Sequence, residues 1–269
     1  MPGRVEGKVA LVVGGGQTPG ATIGNGRATA ELLAREGAKV AVADLSVERA
    51  QETVDQIRKD GGDAIALQVD VTSEDSCRKL VEDTLAHYGR LDILHNNVGG
   101  SLALGDAPVD DITTEAWDRI INVNLRGMMY TAKFALPALR ESGHGSIVNI
   151  SSMAALHEYP RIGYKTTKTA IIALTENLAA ANARYNLRAN AILPGKMNTP
   201  MAIEPRVATG RSREEVVASR DAMVPLGGKM GTGWDVAKAA LFLHSDDAAF
   251  ITGVSLPVDG GENVMGGAG

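Results

Sequence analysis

The chain has 269 residues, 44 % of them apolar, which suffices for a sizeable core and excludes a disordered chain. Its net charge is −5 and aromatics make up only 4 %, so neither a nucleic acid nor an anionic membrane is an expected partner. The one cysteine, Cys77, can form no internal disulfide, which fits a reducing compartment.

The opening MPGRVEGKVALVV places charges before a short apolar run, unlike a secretory leader. No stretch has the length of a membrane span. A soluble, cytoplasmic protein is expected. Seven short apolar runs read as strands: KVALVV (8–13), KVAVAD (39–44), AIALQVD (64–70), LDILHNN (91–97), GSIVNIS (145–151), LRANAIL (187–193) and GVSLPVD (253–259). They are nearly continuously apolar, as strands buried on both faces are. Helical patterns lie between them. Ser46 caps one helix, Thr72 or Ser73 begins another that stops at Gly89, and a long pattern over 113–142 contains Pro137, where a bend or boundary is expected. The βαβ alternation predicts an α/β fold with one doubly wound sheet of seven mainly parallel strands and helices on both faces. The irregular segment 196–228 could cover the crevice beyond the strands' carboxyl ends. The closing GGAG (266–269) should be mobile.

VVGGGQTPGATIGNGRATA (12–30) follows the first strand and opens a helix. Glycines there let a backbone approach a pyrophosphate, and the helix N-terminus offers free N–H groups. The stretch is longer than such a turn requires. Either Gly14 leads, with Gly24 and Gly26 after an inserted loop, or Gly20, Gly24 and Gly26 form the pattern. Gly24, Asn25 and Gly26 serve in both registers. Asp44 ends the second strand, beside Leu45. A carboxylate there accepts hydrogen bonds from the adenosine ribose and repels a 2′-phosphate. No Arg or Lys lies between Gly14 and Gly26. NAD is therefore the expected cofactor, in preference to NADP. Asp70, followed by Val71, could meet the adenine.

Tyr164 and Lys168 stand four apart in GYKTTK, on one face of a helix. A phenol titrates near ~10 and is a poor base at neutral pH, whereas a nearby ammonium favours the phenolate. GSIVNISS ends a strand with two serines upstream of Tyr164, and NVNLRG puts Asn124 inside the long helix.

Together these motifs resemble a short-chain dehydrogenase/reductase over nearly the whole chain. The resemblance implies a single NAD-binding, Rossmann-type domain over 1–269. It implies Tyr164 as acid/base, Lys168 lowering its pKa and holding the nicotinamide ribose, Ser152 orienting substrate and Asn124 supporting a proton relay. The family's NNAG element resembles NNVG, with Asn97, Val98 and Gly99. Its Pro-Gly turn resembles LPGKMNTP, with Pro194, Gly195, Met197 and Thr199, the threonine meeting the carboxamide. The final strand packs on a partner subunit in many members, so a homotetramer, or else a dimer, is expected.

Three departures stand out. Ser151 keeps the family's thirteen-residue spacing to the tyrosine, while Ser152 holds the usual place in ISS; Ser152 is the expected residue. The usual Thr-Gly is Val13-Gly14. The enlarged loop resembles the enoyl reductase branch, which spaces its tyrosine and lysine more widely.

His157 could reach the substrate, and Tyr159 should line the pocket or pack. His144 and His244 read as surface or helix-end residues. Lys196, Arg161 and Arg206 could attract an anionic substrate, though solvated charges explain them equally well. No metal site is expected from such dispersed histidines. The reading is an NAD-dependent enzyme acting on a small-molecule alcohol or ketone. A non-catalytic NAD-binding regulator and an enoyl reductase are the alternatives.

Overall fold

The computed structural model describes residues 3–265; the closing GGAG expectation lies outside that range. Seven parallel strands form one sheet in the order β3-β2-β1-β4-β5-β6-β7. They are β1 (Val9–Val13), β2 (Lys39–Asp44), β3 (Ala64–Gln68), β4 (Ile93–Asn96), β5 (Ser146–Ile150), β6 (Arg188–Pro194) and β7 (Ser255–Val258). The order reverses between β1 and β4. Chains leaving those two strands diverge, and a crevice opens at their carboxyl ends.

The continuous apolarity of β1 has a direct cause. Val9, Leu11 and Val13 join a core with Cys77, Leu80, Ala132, Leu139 and Leu178 on one face. Those partners come from α3 (Glu74–Tyr88), α5 (Gly127–Glu141) and α6 (Ile162–Asn182). Ala10 and Val12 point the other way, to Leu33, Val54, Ile57 and Leu241. These belong to α1 (Asn25–Arg35), α2 (Val47–Lys59) and α9 (Gly233–His244). Both faces are covered, so no polar alternation survives. Cys77 is fully buried on α3, and burial pushes its thiol up to about 11, which leaves it unreactive.

Ser46 caps α2 and Ser73 caps α3, which ends at Gly89 in the left-handed region, φ 75°. The long helical pattern divides elsewhere than expected. Helix α5 runs through Pro137 to Glu141. The interruption is a π-turn over Asn122–Arg126, joining α4 (Thr114–Ile121) to α5. Such a turn inserts a residue into the helical ladder and re-aims the side chain there, here Asn124.

His244 holds the helix-end position expected of it but does not lie at the surface. It ends α9 yet is fully buried, because that helix packs against both α1 and the sheet. Its Nε2 lies 3.3 Å from His95 Nδ1, and its Nδ1 lies 3.0 Å from Ser146 Oγ. Burial pushes His95 down to about 3. Burial, with the nearby charges of His95, Arg188 and Lys8, holds His244 well below the usual imidazole range. Below ~6.5 the unfolded chain takes up protons that these rings refuse when folded, so stability present above that pH falls as pH drops toward 3. On the order of 2 kcal/mol should be lost by pH 5 from His95, and His244 adds to the loss in the same direction. Urea unfolding at pH 7 and pH 5 checks this: a His95→Gln/His244→Gln variant should show a shallower decline than the wild type. Equal slopes would refute it.

Candidate active site

A cavity of about 920 Å³ opens at the carboxyl ends of β1 and β4. Every residue expected to contact cofactor lines it: Gly14, Gly24, Asn25, Gly26, Asp44, Leu45, Asp70, Val71, Asn97, Val98, Gly99, Tyr164, Lys168, Pro194, Gly195, Met197 and Thr199. Ser152 and His157 line it too. Asn124 does not; it stands behind the wall.

In the glycine turn, Gly14 is the residue packed against Gly26. Gly14 sits at φ 82°, the left-handed region that glycine tolerates. A Cβ on Gly26 would lie 2.0 Å from the Gly14 carbonyl oxygen and 2.5 Å from Asn97 Nδ2, so only glycine fits. Asn97 Nδ2 donates to that same carbonyl at 3.0 Å, tying β4 to the turn. Gly24 is the N-cap of α1, and a Cβ on it would meet nothing. Asn25 Oδ1 is buried there without a partner. A close-packed turn, an open N-cap and an orphaned acceptor fit a dinucleotide's pyrophosphate and its hydroxyl neighbours.

Residues 15–23, the surplus of the long turn, are tied to their surroundings. Gly15 accepts from Thr53 Oγ1, 2.9 Å, and Gln17 Oε1 accepts from Gly24 N, 3.0 Å. Gly20 packs against Pro200 and Glu204 of α7 (Pro200–Val207). The insertion thus links the glycine turn with the segment after β6. Asp44 lies against Gly16 and accepts from Ser46 N, 3.2 Å. Burial raises its carboxyl pKa, while the Ser46 amide and Arg49 oppose the rise. Arg49 lines the cavity near Asp44, a neighbour that inspection of residues 14–26 could not reveal.

At the other end, Lys168 lies one turn beyond Tyr164 on α6, with Nζ 5.4 Å from the tyrosine ring centroid. Its ammonium donates to the Ile150 carbonyl, 2.8 Å, and burial brings it down to about 7. The phenol of Tyr164 is pushed up to about 12, chiefly by burial; the nearby Ser152 hydroxyl and Arg206 pull the other way. The expected lowering by Lys168 is not seen in the protein alone: burial dominates, and the groups that oppose it are Ser152 and Arg206. Tyr159 stacks on Tyr164, ring centroids 5.4 Å apart. The two serines separate cleanly. Ser151 is buried and donates to the Lys168 carbonyl, 2.7 Å, so it holds the helix. Ser152 is the one whose hydroxyl faces the phenol.

Asn124 spends its whole amide on structure. Oδ1 accepts from Gly100 N at 2.8 Å, and Nδ2 donates to the Gly100 carbonyl at 2.9 Å and to Thr167 Oγ1 at 3.1 Å. It clamps the loop after β4. A Cβ on Gly99 would lie 3.1 Å from Lys168 Nζ and 3.4 Å from Asn124 Oδ1, so both side chains flank that glycine.

Asp106 went unnoticed in the sequence. Helix α6 has no local side-chain cap. Instead Asp106, from the loop before α4, accepts from Gly163 N at 2.9 Å and Tyr164 N at 3.0 Å. It also accepts from Ser101 Oγ at 2.8 Å. A carboxylate from a distant loop thus satisfies the first turn of the helix that carries Tyr164. Lone acids in irregular loops have no spacing signal, so only the folded loop exposes this role. His157 Nε2 is buried in the cavity wall without a partner, and Lys196 is neutralised by Glu262 at 2.5 Å. Among the described residues no cluster of acids, histidines and cysteine could hold a metal.

A parallel sheet reversing at β1/β4, a glycine turn at that point and a Ser-Tyr-Lys face on the same cavity define a dinucleotide-linked oxidoreductase scaffold. The chain belongs to the short-chain dehydrogenase/reductase family. A family model described as enoyl-(acyl carrier protein) reductase matches residues 20–263. The chain is 36 % identical to the 2,5-dichloro-2,5-cyclohexadiene-1,4-diol dehydrogenase of Sphingobium indicum, over 98 % of this chain and 99 % of that one. It is 38 % identical to the 7alpha-hydroxysteroid dehydrogenase of Clostridium sardiniense, with 96 % and 94 % covered. The cyclopentanol dehydrogenase of Comamonas testosteroni is 36 % identical, with 96 % and 98 % covered. A crystal structure from Burkholderia xenovorans, described as a short-chain dehydrogenase/reductase, superposes with a TM-score of 0.91 at 36 % identity, covering 97 % of this chain and 98 % of the other.

Proposed function

We propose that the protein interconverts a secondary alcohol and a ketone with NAD, Tyr164 acting as acid and base. The observation that carries this reading is the single cavity joining Ser152, Tyr164 and Lys168 to the glycine turn and Asp44. The named relatives add support, since their names specify dehydrogenases of a cyclohexadiene diol, a hydroxysteroid and cyclopentanol. A ring-borne alcohol is the favoured class.

Bound NAD supplies the hydride acceptor for oxidation and, when reduced, the donor for the reverse. The chain's own groups do the rest. Gly14, Gly24, Asn25 and Gly26 would hold the pyrophosphate and Asp44 the adenosine ribose. Leu45, Asp70 and Val71 would border the adenine, and Asn97, Val98 and Gly99 the far ribose. Pro194, Gly195, Met197 and Thr199 would hold the carboxamide end. Ser152 donates to the substrate oxygen and fixes its distance from Tyr164 Oη. In oxidation the phenolate oxygen takes the hydroxyl proton, and in reduction the phenol returns it. An ammonium brought down to about 7 can release and retake a proton near neutrality, so Lys168 is suited both to favour the phenolate and to pass the proton on. Asn124 acts by positioning, through its clamp on Gly100. Helices α7 and α8 (Arg213–Asp221) contribute Met201, Arg206 and Arg220 to the cavity and would cover the substrate.

A panel of ring alcohols and ketones, followed by NADH absorbance, tests the reading. Turnover is expected with at least the simple ring alcohols; NAD binding without turnover across the panel would favour a regulator. Asp44 predicts tighter binding of NADH than NADPH by at least about tenfold, since a carboxylate and a 2′-phosphate repel. An Asp44→Ala variant should narrow that ratio, leaving Arg49 to attract the phosphate. Tighter NADPH binding by the wild type would overturn the preference. We also propose a cytoplasmic homotetramer. The lone buried thiol suits a reducing compartment, and the edge strand β7 with the fully exposed Phe250 beside it suits a subunit contact. A monomer by light scattering would contradict the assembly.

A further inference from the structure

Three arginines of the segment after β6, Arg206, Arg211 and Arg220, line the cavity, and two of them stand on helices. Arg206 is on α7 and Arg220 on α8, and both line the cavity that Tyr164 and Ser152 line. A guanidinium has five N–H donors and normally finds a carboxylate when withdrawn from water. Neither of these does. Among the described residues, no acid lies within ion-pair distance of either. Arg206 donates to the Ala202 carbonyl at 2.5 Å, and Arg220 to the sulfur of Met230 at 3.3 Å, a weak acceptor. Glu262, whose charge acts on Arg220, pairs with Lys196 through Oε1 at 2.5 Å and leaves Oε2 buried without a partner.

The consequences of burial are visible in both groups. It lowers the guanidinium pKa of Arg206, and it brings Arg220 down to about 10 with the like charge of Arg206 adding to the effect. Two like charges held half out of water, within each other's field and with neither in an ion pair, destabilise the fold; the one carboxylate that opposes them, Glu262, acts from beyond ion-pair distance of Arg220. Surface solvation does not account for them, because both are partly buried. Tyr159 and Tyr164 both lie within the field of Arg206, which places that positive charge beside the phenol.

Resting on the oxidoreductase reading above, the geometry points to an anionic substrate: a carboxylate-bearing ring alcohol, or its ketone, with the carbinol oxygen at Ser152 and Tyr164 and the carboxylate held by Arg206 and Arg220. A carboxylate accepts from guanidinium groups in a forked geometry and supplies the ion-pair partner that both lack. Met201, Met223 and Ala154 line the same cavity and give the ring an apolar bed. Lys196, paired with Glu262, takes no part in this contact. Selectivity arises from the unpaired arginines themselves, since a neutral ligand leaves them unsatisfied.

Calorimetric titration of the full chain, with NAD in excess, compares cyclohexanecarboxylate with cyclohexanecarboxamide as probes. The carboxylate should bind at least about tenfold more tightly, and Arg206→Gln and Arg220→Gln should each remove about that factor from it. Binding of the carboxamide should change far less, and Arg206→Lys should retain part of the carboxylate preference. Equal affinity of the two probes for the wild type overturns the inference, as does a carboxylate affinity unmoved by both glutamine variants. Should either glutamine variant fail to fold, the wild-type ratio still decides. Turnover of 3-hydroxycyclohexanecarboxylate and of cyclohexanol is measured in parallel. Tight carboxylate binding with no turnover of either supports the anion pocket and sinks the oxidoreductase reading. Turnover with equal affinities does the reverse.

Discussion

Tyr164→Phe is expected to lower kcat/KM by about 10²–10⁴-fold, the range that a positioned acid/base supplies. The substitution removes one oxygen and little else. The ring remains to stack on Tyr159 at 5.4 Å, and Lys168 keeps its place over that ring. The backbone N–H still donates to Asp106. Thermal stability should therefore change little, and NAD affinity should stay within about threefold, because the phenol is only one of many groups around the cofactor cleft. The pattern expected is a collapse of turnover with binding intact. Steady-state kinetics paired with a fluorescence titration of NADH reads both. Turnover within a few-fold of the wild type would remove Tyr164 from the chemistry while leaving the fold untouched.

Gly26→Ala should damage both fold and cofactor binding. Its methyl group would stand 2.0 Å from the Gly14 carbonyl oxygen and 2.5 Å from Asn97 Nδ2. Both neighbours are tied down, Asn97 to Gly14 and Gly14 to Ala43 through its own amide at 2.8 Å. The backbone must shift, at a cost of about 1–3 kcal/mol. The shift displaces α1 from the end of β1, so NAD affinity should fall by at least about tenfold as the helix N-terminus moves off the pyrophosphate. Gly24→Ala is the companion. Its methyl meets nothing, so stability should hold within about 0.5 kcal/mol while NAD affinity falls. Urea unfolding and NADH titration of the two variants separate the effects. A Gly26→Ala protein as stable as the wild type would contradict the packing, and a Gly24→Ala protein with normal NAD affinity would contradict the placement of the cofactor.

What the residues revealed in advance follows from the range of each interaction. The strands were legible because burial on both faces leaves continuous apolar runs. Gly24 and Gly26 were legible because a glycine turn has a fixed context, strand before and helix after. Tyr164 and Lys168 were legible because a helix turns spacing into adjacency. The choice between Ser151 and Ser152 needed the folded chain, where one hydroxyl holds the Lys168 carbonyl and the other faces the phenol. The features that escaped are all long-range. Asp106 caps α6 from a loop more than fifty residues upstream. His244 meets His95 across 149 residues. Arg220 shares a cavity with Tyr164 only because α7 and α8 fold back over the crevice. The break at Asn124, rather than at Pro137, was hidden because a π-turn has no compositional signature and Asn124 earns its place through Gly100.

The ionisation of Tyr164 bears most directly on the chemistry. It can be followed as phenolate absorbance, wild type minus Tyr164→Phe, with and without NAD. In the protein alone burial holds the phenol up at about 12, and the cationic nicotinamide together with Lys168 should bring it toward neutrality once NAD is bound. A midpoint between about 6 and 8 in the NAD complex is the predicted result; a midpoint still above about 10, the value of an ordinary phenol, would contradict the assignment of Tyr164 as the base.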